Sequence, residues 1–286
     1  MGKKSKISWT DATWNPWRGC RKVSAGCANC YMFRQQRRFG DDPTVVMRSK
    51  TTFNDPLKWA EPQRIFVCSW SDFFIEDADE WRDEAWAIMR AAPQHTYMLL
   101  TKRLEPIAER LPDDWGNGYP NVWLGASVEN QRVADERIPL LLQLPAAVRF
   151  LSCEPLLGAV DLNEYIKLTA DNSTDEHFER EHWGYDDWSG GFMCRATTGD
   201  DSCYDPQEGI HWVIAGGESG PGYRPMGMAW ARSLRDQCQE GGVPFFFKQQ
   251  AAYRSEQAPY IVEEDGRHTE YQQMPDLVIP AEEIKQ

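Results

Sequence analysis

The sequence predicts an α/β protein built as a complete or partial parallel (β/α) barrel, and three observations carry that prediction. First, continuous apolar, β-branched or aromatic runs recur along the chain and end abruptly in polar residues, which is how strands buried on both faces read. Second, helical patterns separate several of these runs, as in βαβ units. Third, the polar residues at the ends of the runs are rich in chemistry, and in barrels the C-terminal strand ends carry the working site.

Taken in order, a first strand is expected at 12–16 (ATWNP), followed by a cysteine-rich loop and a helix around Tyr31–Phe39. Strand runs then follow at 64–72 (RIFVCSWSD), 96–103 (TYMLLTKR), 121–130 (NVWLGASVEN), 148–155 (VRFLSCEP), 211–220 (HWVIAGGESG) and 243–250 (VPFFFKQQ). Helical patterns occupy 77–92, 104–111 (LEPIAERL), 131–144 and 228–241. Residues 164–208 break the alternation, with twelve acidic against three basic residues and loop-like stretches such as GYDDWSGGF. The expected organisation is therefore a first barrel part with the cysteine loop (1–163), an inserted acidic loop-rich subdomain or lid (164–208), and the last strands with a C-terminal extension (209–286). The acidic tail after about Ser255 is expected to wrap the outside.

Composition narrows the function. The net charge is −13, which argues against a protein that coats nucleic acid through a uniformly basic surface. The charge is uneven, because residues 1–50 hold eleven Lys or Arg against three Asp, a net of +8 that leaves −21 for the remainder. No apolar run is long enough to span a membrane, and the basic N-terminus lacks an apolar core, so a cytoplasmic protein with no membrane partner is expected. Thirteen tryptophans suggest aromatic-lined pockets. Eight cysteines in such a chain read as thiols and metal ligands. Cys68 and Cys153 sit in apolar runs, and Cys238 reads as buried packing.

Four groups are candidates for chemistry. Cys20, Cys27 and Cys30 stand close together, with Gly19 and Gly26 allowing the turns that bring sulfurs together. Thiolates suit zinc or iron–sulfur clusters. A structural zinc needs four ligands, and no fourth Cys or His is nearby in sequence, so a four-iron cluster with one open iron fits better. Zinc completed from elsewhere remains an alternative. The segment Gly216-Gly217-Glu218 follows a strand, where glycines admit a ligand to the backbone and Glu218 accepts hydrogen bonds from a ribose or an ammonium. Lys102, Glu129 and Glu154 are the catalytic candidates, and Ser69, Asp72, Ser127, Glu129 and Lys248 share the cofactor-lining role at the strand ends. A plain ion-pair network is the alternative for these charges. Finally, Lys22, Arg34, Arg37 and Arg38, near Trp14 and Trp17 in sequence, suggest nucleic-acid contact by phosphate pairing and stacking. His177, His182, Cys194 and Cys203 form a weak zinc pattern in the insertion.

The cysteine loop after the first strand resembles that of the radical S-adenosylmethionine superfamily. More closely, GCRKVSAGCANCY, FLSCEPLLG and VIAGGESGPGYRPM resemble a phage-associated, largely uncharacterised family with a three-cysteine motif. The superfamily resemblance implies that Cys20, Cys27 and Cys30 hold a [4Fe-4S] cluster, with Tyr31 and the strand-end groups lining the S-adenosylmethionine site. It also implies an electron donor and a 5′-deoxyadenosyl radical that abstracts hydrogen from a substrate. The leading expectation for that substrate is a nucleic-acid base or nucleotide to be modified or repaired, with DNA, RNA or a nucleotide as the partner. A non-catalytic zinc- or cluster-binding phage protein, or a barrel hydrolase or lyase with a structural cysteine loop, are the competing functions.

Overall fold

The computed structural model describes residues 4–170 and 209–275. Seven parallel strands form one sheet in chain order: β1 (Ala12–Trp14), β2 (Arg64–Val67), β3 (Thr96–Thr101), β4 (Val122–Ser127), β5 (Val148–Cys153), β6 (Trp212–Gly216) and β7 (Phe245–Gln249). The first and last strands do not pair, so the sheet curls into a half-barrel and does not close. Each expected strand is present, and of the two barrel forms expected the partial one is found.

The register explains why the runs read as continuously apolar. Residues on alternate positions face the helices, where Ile65, Val67, Tyr97, Leu99, Leu124, Leu151, Val213, Phe245 and Phe247 join the main core. The intervening positions face the concave interior. There Phe66, Met98 and Trp123 align across β2, β3 and β4, and with Trp9, Phe150, Trp212, Ile214 and Phe246 they form a second apolar cluster. Gly125 leaves room for this plug, because a Cβ there would lie 2.4 Å from the Phe150 ring. Truncating Trp212, wholly buried at its centre, to Ala would cost about 3–5 kcal/mol. Above the plug, the inward positions of β4 and β5 become Ser127 and Ser152, which are in register. The interior thus turns from apolar to polar near the C-terminal strand ends.

Five helices accompany the sheet, α1 (Tyr31–Arg38), α2 (Asp79–Ala91), α3 (Gln131–Leu142), α4 (Asn163–Ala170) and α5 (Met228–Glu240), together with two short antiparallel ribbons, Trp17–Arg18 with Met47–Arg48 and Ile261–Val262 with His268–Thr269. The start of α3 is capped by the Asn130 side chain, which accepts from the Val133 amide at 3.2 Å. The helix expected at 104–111 is only a short 3₁₀ turn at Ala108–Arg110. Pro106 interrupts the pattern, while Leu104 and Ile107 reach the core from irregular backbone.

The expected boundary at 164 falls within α4, whose Ile166 is buried in the main core. The rest of the expected insertion, with its zinc pattern, lies outside the described residues. The tail does more than wrap the outside: it pairs antiparallel with the free edge of β7 through a Phe246–Gln272 bridge. Tyr271 accepts from the Phe247 amide at 2.7 Å, and Met274 packs on the inner plug. Pairing shields an edge that would otherwise expose unmet backbone groups. No helix among the described residues is long and apolar enough to cross a membrane.

Candidate functional site

A cavity of about 840 Å³ opens at the C-terminal ends of the strands, with Trp9, Phe66 and Leu100 of the apolar interior among its lining. Ser69, Asp72, Lys102, Ser127, Glu154, Glu218 and Lys248 all line it, as do Cys20, Cys27, Cys30 and Tyr31. Residues separated by more than 200 positions therefore share one mouth, as parallel strands require. Trp14, Trp17, Trp86 and Trp212, each nearly inaccessible, fill cores and do not line this space, whereas Trp9 and Trp70 border it.

The cysteine loop lies at the mouth and is clamped by the strand ends. On the β2 side, Ser71 Oγ donates to Gly19 O at 2.6 Å and the Gly19 amide donates to Trp70 O at 3.1 Å. Gly19 has a φ of 99°, and a Cβ there would sit 2.1 Å from Val45 O, so glycine is required on both grounds. After β3, Arg103 donates to Arg21 O at 2.8 Å, and its other guanidinium nitrogen lies 3.7 Å from Cys20 Sγ and 3.2 Å from Asp72 Oδ2. After β4, Glu129 accepts from Ser24 Oγ at 2.6 Å. After β6, Glu218 accepts from Asn29 Nδ2 at 2.9 Å and from Arg224 through both carboxylate oxygens. Arg224 also donates to Ala25 O at 3.0 Å.

These contacts redefine several expected roles. Glu129 is completely buried and does not line the cavity. Its oxygens meet Ser24, Arg137 at 3.2 Å and Lys102 at 3.8 Å. It is an anchor for the loop, not a group turned toward the cavity. Gly216 and Gly217 are also absent from the lining. A Cβ on Gly217 would lie 2.2 Å from the Ala251 nitrogen, so close chain approach accounts for that glycine. Asp72 accepts from Thr101, Phe74, Lys102 and Arg103, which commits its carboxylate to bracing the loop after β3.

The tryptophans expected to stack are not available to a ligand. Trp14 and Trp17 are buried, and their indole nitrogens donate to Phe53 O and Asp72 O. Lys22 donates to Ala28 O and sits over the Phe33 ring, whereas Arg34 contacts Pro221 O and lines the cavity. Arg37 and Arg38 are exposed.

Groups facing the cavity retain chemical capacity. Glu154 and Lys248 form an ion pair at 2.8 Å, with Glu256 3.8 Å from the same ammonium. Burial alone would lower the Lys248 pKa, but the two carboxylates outweigh it and hold the ammonium charged. Ser127 Oγ is buried with no hydrogen-bond partner among the described residues. The Tyr31 hydroxyl donates to Ser69 O. The Cys20 thiol is pushed up to about 12 by burial and by Asp72, against the opposing pull of Arg103.

Sequence reading missed one cysteine. Cys68 follows β2 with a left-handed backbone (φ 59°), lines the same cavity and is near enough to Cys20 for the two to interact electrostatically. A non-glycine residue held there carries strain, and an apolar run gives no sign of it. Among the described residues, no three or more His, Cys, Asp or Glu side chains are grouped to hold a metal ion.

Residues 4–276 match the model of a family described as a protein of unknown function, DUF5131. No curated protein and no solved structure matches the chain.

Proposed function

We propose that this chain, which belongs to the DUF5131 family, is a radical S-adenosylmethionine-type iron–sulfur enzyme. The observation that carries the reading is the convergence of Cys20, Cys27 and Cys30 on one cavity at the C-terminal mouth of a parallel half-barrel. A cluster does not require three ligands already gathered around one point, a grouping not found among the described residues. In a cluster each thiolate binds a different iron, so the sulfurs need not meet at one point. Cluster assembly would also deprotonate Cys20, whose thiol otherwise holds its proton.

Cys20, Cys27 and Cys30 would hold a [4Fe-4S] cluster, and the chemistry it would supply when bound is one-electron reductive cleavage of S-adenosylmethionine, with the electron drawn from a low-potential donor. The chain's own residues hold and orient. Arg103 steadies the Cys20 side of the loop, while Glu129 and the Glu218–Arg224 pair steady the Cys27–Cys30 side. Ser127 Oγ and Ser152 offer hydrogen bonds to a cofactor hydroxyl, and the Glu154–Lys248 pair offers both charges needed by an amino-acid headgroup. The buried, unpartnered Ser127 hydroxyl supports a polar ligand in this space.

Cys68 favours a second reading, a closed four-thiolate site that is structural and non-catalytic. The variants separate the two. Protein reconstituted without oxygen should bind about four irons and four sulfides per chain. Cys27→Ala should lose the cluster and its brown colour, and Cys68→Ser should keep both. Loss of iron from Cys68→Ser to the same extent as from Cys27→Ala would instead support the closed site.

A further inference from the structure

The charge around the cavity departs from that of the whole chain. Eight Lys or Arg residues line it against four acidic ones, in a protein of net charge −13. All four acids already have cationic partners: Asp72 has Arg103, Glu154 and Glu256 have Lys248, and Glu218 has Arg224. By contrast Lys4, Lys6, Arg34 and Arg254 have no carboxylate partner within ion-pair distance among the described residues, and all four line the cavity. Lys4 and Lys6 precede β1 while Arg254 follows β7, so the unneutralised cations come from the segments that flank the first and the last strand of the half-barrel. Arg34 adds one from α1. Beside Arg254, Tyr253 lines the same mouth and is 63% exposed.

We propose that this cavity binds the phosphate backbone of a single-stranded nucleic acid, with Lys4, Lys6, Arg34 and Arg254 pairing phosphates and Tyr253 stacking a base. Unpaired cations around an opening with an exposed ring form the pattern that recognises such strands. The spread of cations over three chain segments suits a polymer with repeated charges better than one phosphate. A base stacked in a duplex is not free to stack on Tyr253, which favours a single strand or an extruded base. The proposal deepens the enzyme reading by naming its substrate class. It differs from stacking on Trp14 and Trp17, which are buried.

The test is fluorescence anisotropy of the full chain with a labelled mixed-sequence 20-nucleotide single strand, as DNA and as RNA, across a salt series. Four contacts predict a log–log salt slope of about −2.8. Lys6→Glu with Arg254→Glu should weaken binding strongly and shrink that slope by about 1.4. Tyr253→Ala should weaken it about tenfold. Arg267→Glu, an exposed charge reversal outside the cavity lining, should change affinity far less. No binding at low salt, equal binding of the duplex, equal displacement by polyglutamate, or an equal loss in Arg267→Glu would each overturn the proposal. The assay requires neither iron nor S-adenosylmethionine, so its failure is distinct from failure of the enzyme reading.

Discussion

Gly26→Ala probes the junction on which the cysteine loop depends. Gly26 lies in the 3₁₀ turn Ala25–Cys27, next to the cluster-ligand candidate Cys27. Its φ is not in the left-handed region, so alanine meets no backbone penalty and the effect is steric. A Cβ there would lie 2.3 Å from Glu129 Oε1, 2.6 Å from its Cγ and 2.7 Å from its Cδ. Glu129 has little freedom to yield, since it is fully buried and held by Ser24 and Arg137. Overpacking of this kind costs about 1–3 kcal/mol. At about 2 kcal/mol and a urea slope of about 3 kcal/mol/M, the unfolding midpoint should fall by about 0.7 M. Where the turn escapes by lifting off the mouth, the iron bound after reconstitution should fall instead. Shortening the carboxylate with Glu129→Asp in the Gly26→Ala background should recover part of the loss, a coupling that independent sites would not show. A Gly26→Ala protein with the parent's midpoint and iron content would refute the packing of the loop on Glu129.

Two further expectations concern pH. Burial raises the Glu218 carboxyl, but hydrogen bonds from Arg224 and Asn29 more than offset it and hold it below its ordinary value. Its stabilising contribution is therefore present above the unfolded value of about 4.3 and lost as pH falls through the lower folded value. In acid denaturation, Glu218→Gln should be less stable at pH 7 and lose less stability on acidification than the parent, and parallel curves would contradict this. Because the Cys20 thiol is raised to about 12, its thiolate is scarce at neutral pH. Cluster reconstitution, followed by visible absorbance, should accelerate from pH 7 to pH 9, and a pH-independent rate would argue against Cys20 as a ligand.

How much was legible follows from what each residue packs against. The seven strands are readable because burial on both faces leaves continuous apolar runs, and their order follows from parallel pairing of successive elements. The shared mouth was readable by the same logic, since Ser69, Lys102, Ser127, Glu154 and Lys248 each follow or end a run. Glu129 obeys that rule in sequence, yet a loop from about a hundred residues earlier packs over it. Trp14 and Trp17 misled because closeness to arginines along the chain says nothing of which side faces the core. Arg103, one residue beyond Lys102, was open to the strand-end argument. Asn29 and Arg224 carry no pattern at all, and their clamp exists only once β6 is beside the cysteine loop. Lys4, Lys6 and Arg254 line one cavity only because the segments before β1 and after β7 both border it.

The most direct test of the central claim is the production of 5′-deoxyadenosine. Anaerobically reconstituted, reduced protein should convert S-adenosylmethionine slowly to 5′-deoxyadenosine and methionine in equal amounts, and Cys27→Ala should produce neither. A wild-type protein carrying a full complement of iron and sulfide, yet forming no 5′-deoxyadenosine under a strong reductant, would contradict the radical assignment.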